Sequence, residues 1–374
     1  MKKLIAFIIV LISALAFSLP VNAQSDQIKE LFDEQLRASG ADGLYYSLPE
    51  QTRELLSESG MDKISSESCN ADFFGILRKT FELAAMKGSS PLAAAAVCMG
   101  ILLLTSLTGS SGHDALAGVG NTVGALSICC IIITPVCALI SSAGEVISAI
   151  TGFSALYIPV MAGLLAGSGH QGSASSYYTL LMGSSQVITQ LSDKFIIPMI
   201  NVFTLLSVSA SLSSEVKMSS LCSAVYKFVK WTLTFVMSIF ATVLTAQTFA
   251  SSSMDRVSKR ALSFTVSSFV PAVGGVLSET LGAFAGSLEM LRSGAGVFII
   301  IACGFIVLPV LIECILWRGV LVVLAAAGET FGTDRMKTVF SMLSDAVGML
   351  TAVLLCVLSV FIISTVIIMI VGSR

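Results

Sequence analysis

Between residues 91 and 374 the chain places only 12 basic and 11 acidic side chains in 284 positions. That scarcity limits its fold more than any other feature. Soluble domains carry about 25% charged residues, and a soluble body of this size could not cover its surface with so few. By contrast, residues 24–90 hold 7 Lys/Arg and 12 Asp/Glu. The pattern is that of a multi-pass membrane body behind a small polar segment.

A membrane-crossing helix needs about 20 mainly apolar residues. Residues 92–107, 119–140, 146–166, 195–212, 231–249, 261–281, 297–317 and 347–371 meet or approach this. The expected fold class is therefore an all-α polytopic membrane protein of about eight transmembrane helices. Residues 177–191 are too polar and 320–327 too short, so both read as re-entrant or broken half-helices. Three segments follow: 1–23, 24–90 and the membrane domain 91–374.

The first segment opens with Lys2 and Lys3 and continues through an apolar run to Leu19. Val21-Asn22-Ala23 then has the small-residue spacing of a signal-peptide cleavage site. The basic end stays in the cytoplasm, which exports residues 24–90. Those residues read as amphipathic helix. Ile28, Leu31, Phe32 and Leu36 share one face, and Phe73, Phe74, Leu77 and Phe81 form a later stripe. Such a segment is either a docking surface or a small cap on its own membrane domain.

The membrane domain shows an internal repeat. Tyr157-Ile158-Pro159-Val160-Met161-Ala162-Gly163-Leu164-Leu165 aligns with Phe269-Val270-Pro271-Ala272-Val273-Gly274-Gly275-Val276-Leu277, and the segment around Pro198 aligns with that around Pro309. The units run over about 141–250 and 251–371. Three spans in each would invert the second unit, as in many transporters. Under that topology Arg256, Lys259, Arg260, Arg335 and Lys337 face the cytoplasm, while Lys217, Lys227 and Lys230 face outward. Pro159, Pro198, Pro271 and Pro309 should kink their helices. Glycines four apart, including Gly120/Gly124 and Gly163/Gly167, suit close helix approach.

Chemistry is sparse. A net charge of −2 and an isoelectric point near 5.8 supply no basic field for nucleic acid. Nine cysteines form no CxxC, and His113 and His170 are the only histidines, too few for a zinc or haem site. The cysteines read as small hydrophobes. No phosphate-binding GxxxxGK[ST] loop, HExxH or nucleophile–histidine–acid set occurs. We expect no catalytic residues and no cofactor.

Glu313 is the one acidic residue well inside a strong span, and a carboxylate there is costly unless paired or wet. With Asn201 it could form a polar midplane site beside kinked helices. Alternatively it pairs with Arg318, five residues on, near the membrane surface. The charged stretch of Asp255, Arg256, Lys259 and Arg260 reads as a loop that either contacts a partner chain or anchors topology.

The run from Ser251 to Ala261, the following Ser267-Ser268-Phe269-Val270-Pro271-Ala272-Val273-Gly274-Gly275-Val276-Leu277-Ser278-Glu279 and Ser293-Gly294-Ala295-Gly296-Val297 resemble the stage III sporulation protein AE family. The leader, exported segment and multi-span body resemble it in order too. The resemblance implies a non-enzymatic component of the secretion-like channel complex between mother cell and forespore, in the mother-cell membrane. The partners it implies are the other stage III sporulation A proteins, including a separate ATPase, and forespore stage II sporulation protein Q. From the residues alone, the competing reading is a secondary transporter or permease using Asn201 and Glu313.

Overall fold

A computed structural model describes residues 34–41, 43–58, 73–109, 114–168, 171–212, 218–269 and 274–371, giving the backbone alone from 247 to 290. Every element among them is helical. Residues 34–39 are helical, and the short helices α1 (Gly43–Tyr46) and α2 (Glu50–Glu58) follow them before the long ones. These are α3 (Phe73–Gly109), α4 (Asp114–Gly167), α5 (Gln171–Leu191), α6 (Ile197–Leu212), α7 (Met218–Phe269), α8 (Gly274–Thr330) and α9 (Asp334–Val371). The expected leader lies outside the described residues, and the boundary at residue 90 falls inside α3.

Among the described residues, six helical segments are long and apolar enough to cross a membrane: Glu82–Thr108, Gly118–Gly167, Gln171–Ser209, Ser220–Leu244, Ser293–Thr330 and Asp334–Met369. The expected division into eight differs from this at identifiable places. The runs 119–140 and 146–166 belong to one helix, α4, of 54 residues. At 1.5 Å per residue α4 is about 80 Å long, far more than a bilayer core of about 30 Å. The polar run 177–191 and the span 195–212 likewise join end to end. The expected span 261–281 includes residues outside those described.

Proline did not break these helices. Pro91, Pro135, Pro159 and Pro309 lie within helices that continue past them. Pro198 is accommodated differently. The five residues Ser192–Ile196 form one wide π turn between α5 and α6, with the Ile197 N–H donating to the Ser192 carbonyl. A π turn redistributes carbonyls just where proline cannot donate. Pro271 lies outside the described residues.

α8 and α9 form a long antiparallel hairpin whose register is fixed at several heights. A Cβ added to Gly328 would lie 3.1 Å from the Lys337 backbone nitrogen, one on Gly348 would meet the Arg318 guanidinium, and one on Gly296 would strike Met369. The turn has Gly332 at φ +69°. There the Gly332 N–H donates to Glu329, the Thr333 N–H donates to the Gly328 carbonyl at 2.9 Å, and the Thr333 hydroxyl donates to that carbonyl at 3.0 Å. This left-handed glycine closes the helix end without a Cβ penalty.

α3 lies parallel to α8. Ser106 donates to the Phe331 carbonyl at 3.4 Å, and Lys87 pairs with Glu313 at 3.0 Å. α4 returns antiparallel to α3, with Gly124 against Thr105 and Met336. α5 runs back along the second half of α4 through Thr151–Thr189 (2.6 Å) and Ser154–Ser185 (2.7 Å) hydroxyl pairs. α6 continues along the first half, Ile197 lying near Gly144. The connections α3–α4, α6–α7 and α8–α9 therefore share one end of the bundle, here called the hairpin end.

Candidate functional site

The Lys87–Glu313 ion pair joins α3 to α8 at 3.0 Å. The Glu313 side chain is 26% exposed and Lys87 46% exposed. Glu313 thus meets a cation on another helix, which corrects the expected pairing with Arg318. The same register that brings Gly348 to the Arg318 guanidinium sets Arg318 within electrostatic reach of Asp345 on α9. Sequence proximity misled here because residues five apart on a helix lie on different faces.

Asn201 does not join this centre. It is exposed on α6, whose main neighbours are α4, α7 and α9. No polar pair of Asn201 and Glu313 forms. Among the described residues no group of three His, Cys, Asp or Glu is arranged to hold a metal ion. Where α5, α6, α7 and α9 meet, the void beside Ile188, Ser192, Met237 and Cys356 measures about 20 Å³. By that measure one water needs about 10–15 Å³, so the void has room for about a single water and not for a larger solute.

The glycines divide. Gly120 and Gly124 sit in tight interfaces, against Thr108 and against Thr105 with Met336. Gly163 and Gly167 instead face outward, and a Cβ at Gly163 would meet nothing within 4 Å. Gly274 and Gly275 open α8, in its backbone-only part. Asp255, Arg256, Lys259 and Arg260 lie within helix α7, correcting the expected loop. α7 starts at the hairpin end and carries these residues away from it, so they do not share an end with Arg335 and Lys337.

A feature invisible in the linear pattern appears once heights are compared. Every charged residue in the six candidate spans lies at the hairpin end, at Glu82, or in one narrow belt. Besides Lys87 and Glu313, the belt holds Glu145, Asp193, Lys194, Lys227, Lys230, Arg318 and Asp345. Gly144 beside Ile197 aligns Glu145 with Asp193 and Lys194. The void lined by Ser192, Val236 and Val353 aligns α7 and α9 with them. The belt is about ten residues deep, roughly 15 Å of helix rise.

Residues 54–372 match the family described as stage III sporulation protein AE. A relative named stage III sporulation protein AE, from Bacillus subtilis (strain 168), is 22% identical over 238 residues, which are 63% of this chain and 59% of that protein. The chain thus spans about three fifths of its relative's length. No solved structure matches. The match extends from α2 through α9 and so takes in the whole helical bundle, which makes this chain a member of the stage III sporulation protein AE family.

Proposed function

We propose that the chain is a non-enzymatic membrane component of the channel complex between mother cell and forespore, seated in the mother-cell membrane as a platform for other chains. Membership of a stage III sporulation family supports the setting. The observation that carries the mechanical part is the Lys87–Glu313 pair, which engages the Glu313 carboxylate in a contact between α3 and α8. A secondary transporter would need that carboxylate, or Asn201, turned toward a solute path. The partners in this reading are the other stage III sporulation A proteins with their separate ATPase, and stage II sporulation protein Q. The leader 1–23, the exported segment 24–90 and the duplicated units remain part of the same proposal.

An in-frame deletion in the source organism, imaged through sporulation, tests it. Engulfed forespores should form and then shrink or stall. Normal spores accompanied by an uptake defect would overturn the reading.

Glu313→Gln separates the two mechanisms. Lys87 is partly exposed, so the pair stabilises by only about 0–1 kcal/mol, and an amide can still accept from Lys87. Sporulation frequency should stay near wild type. A folded Gln variant that cannot sporulate would instead favour ion-coupled transport.

A further inference from the structure

Two outer faces of the bundle carry opposite charge at one height. The exposed side of α4 at the belt reads Ser141, Glu145, Ser148 and Gly152, at helical spacing of four, three and four residues. Glu145 is the only charged residue in the 50-residue segment Gly118–Gly167. It is exposed, and none of the ion pairs among the described residues includes it. A carboxylate on the outer face of so apolar a helix is costly in lipid unless it is paired.

α7 presents the complement. Lys227 and Lys230 are exposed one turn apart, and they too form no ion pair among the described residues. Beside them Phe228, Trp231 and Phe235 are 44%, 61% and 50% exposed. These rings make one ridge, with Phe228 and Trp231 6.4 Å apart and Trp231 stacked on Phe235 at 5.2 Å.

The two faces are level but do not meet within one chain. Gly144 approaches Ile197, and the Phe195 ring lies 5.8 Å from that of Phe228. Glu145 and Lys227 therefore stand within about one turn of each other along the bundle, roughly 5 Å. α5 and α6 pack against both α4 and α7 and keep them apart. Copies inserted side by side with one topology share depth, so groups at equal heights can face each other. Packing α4 on α4 would oppose two carboxylates, and α7 on α7 would oppose lysines to lysines. Only α7 on α4 joins opposite charges. Size agrees as well, because Ser148 and Gly152 lie near the height of Trp231 and Phe235, and a Cβ on Gly152 would meet nothing within 4 Å.

We propose that the chain associates with further copies of itself, the α7 ridge of one copy seating on the Ser141–Gly152 stripe of α4 in the next, with Lys227 and Lys230 against the neighbour's Glu145. The contact is head to tail. Each copy offers α7 to one neighbour and α4 to another, so association closes into a ring or runs on as a filament. The ammoniums neutralise the carboxylate of α4, and the rings fill the space that the small residues leave for close approach.

Full-length protein carrying donor or acceptor dyes on a C-terminal tag, diluted in phosphatidylcholine vesicles, tests this by energy transfer between copies. The wild-type protein should associate. Glu145→Lys and Lys227→Glu/Lys230→Glu should each weaken association by about tenfold or more, because like charges then meet across the contact. The Glu145→Lys/Lys227→Glu/Lys230→Glu variant exchanges all three charges and should associate again. So should a mixture of the two reversed variants, since each then meets opposite charge on both flanks, a recovery that damage to the fold would not give. Wild-type protein that stays monomeric at every dilution would assign the ridge to a different chain and overturn the proposal. Reversed variants that associate as the wild type does, or exchanged and mixed proteins that both stay apart, would overturn the pairing.

Discussion

Replacing Trp317 by alanine is expected to destabilise the bundle by about 3–5 kcal/mol, the range for truncating a fully buried aromatic. Trp317 is among the largest fully buried side chains and is 1% exposed. It lies on α8 between Glu313 and Arg318, at the height of the belt, and belongs to the continuous apolar core. Removing the indole leaves a cavity that the α8–α9 hairpin cannot readily collapse, because its register is held at both ends by the Gly328–Lys337 and Gly296–Met369 approaches. Unfolding of the purified protein, followed against heat or denaturing detergent, measures the loss. Trp317→Phe should cost distinctly less, since most of the volume remains. If alanine changes stability by under about 1 kcal/mol, the belt region is not packed as described.

The second large effect is expected at Gly328. Its place on α8 is tight for any side chain, because the atoms facing it are Lys337 backbone N at 3.1 Å and Cα at 3.3 Å from a built Cβ. Backbone cannot swing aside as a side chain can. Gly328→Val should therefore open the hairpin near its turn and cost about 1–3 kcal/mol of overpacking, or more. The Gly328 carbonyl accepts from both Thr333 groups, so the same shift strains the helix end. Two other glycines provide the scale. Gly296→Ala meets the flexible end of Met369 and should be milder. Gly163→Ala meets nothing, and gains the roughly 1 kcal/mol by which alanine exceeds glycine in a helix. The order Gly328 worst, Gly296 intermediate and Gly163 neutral or stabilising is the expected result of unfolding measurements. A Gly163 variant as damaging as the Gly328 variant would show that its outer face is occupied by another chain in the assembly.

Both effects follow from packing, which separates what the linear pattern could and could not reveal. The charge deficit after residue 91 was sufficient to establish a multi-pass helical membrane protein, because the transfer cost of charge into lipid is local and additive. The stretches around Pro271 and Gly296 were sufficient to suggest the family that the comparison of residues 54–372 supports. Glu313 stood out in the linear pattern because a carboxylate within a strong apolar run needs a partner or water.

Its partner could not be found the same way. Lys87 is more than 220 positions distant in sequence, and only the parallel packing of α3 on α8 brings the two within 3.0 Å. Arg318 looked nearer, but the antiparallel register of α9 turns it toward Gly348 and Asp345. Span boundaries failed for a related reason. Hydropathy marks where a segment becomes polar, and Glu145 and the Asp193–Lys194 pair were read as ends of helices. In the fold they are polar points on helical segments that continue past them. Nine scattered charges thus become one belt, because their common height is set by helix register, which is a property of the packed chain and not of any segment within it.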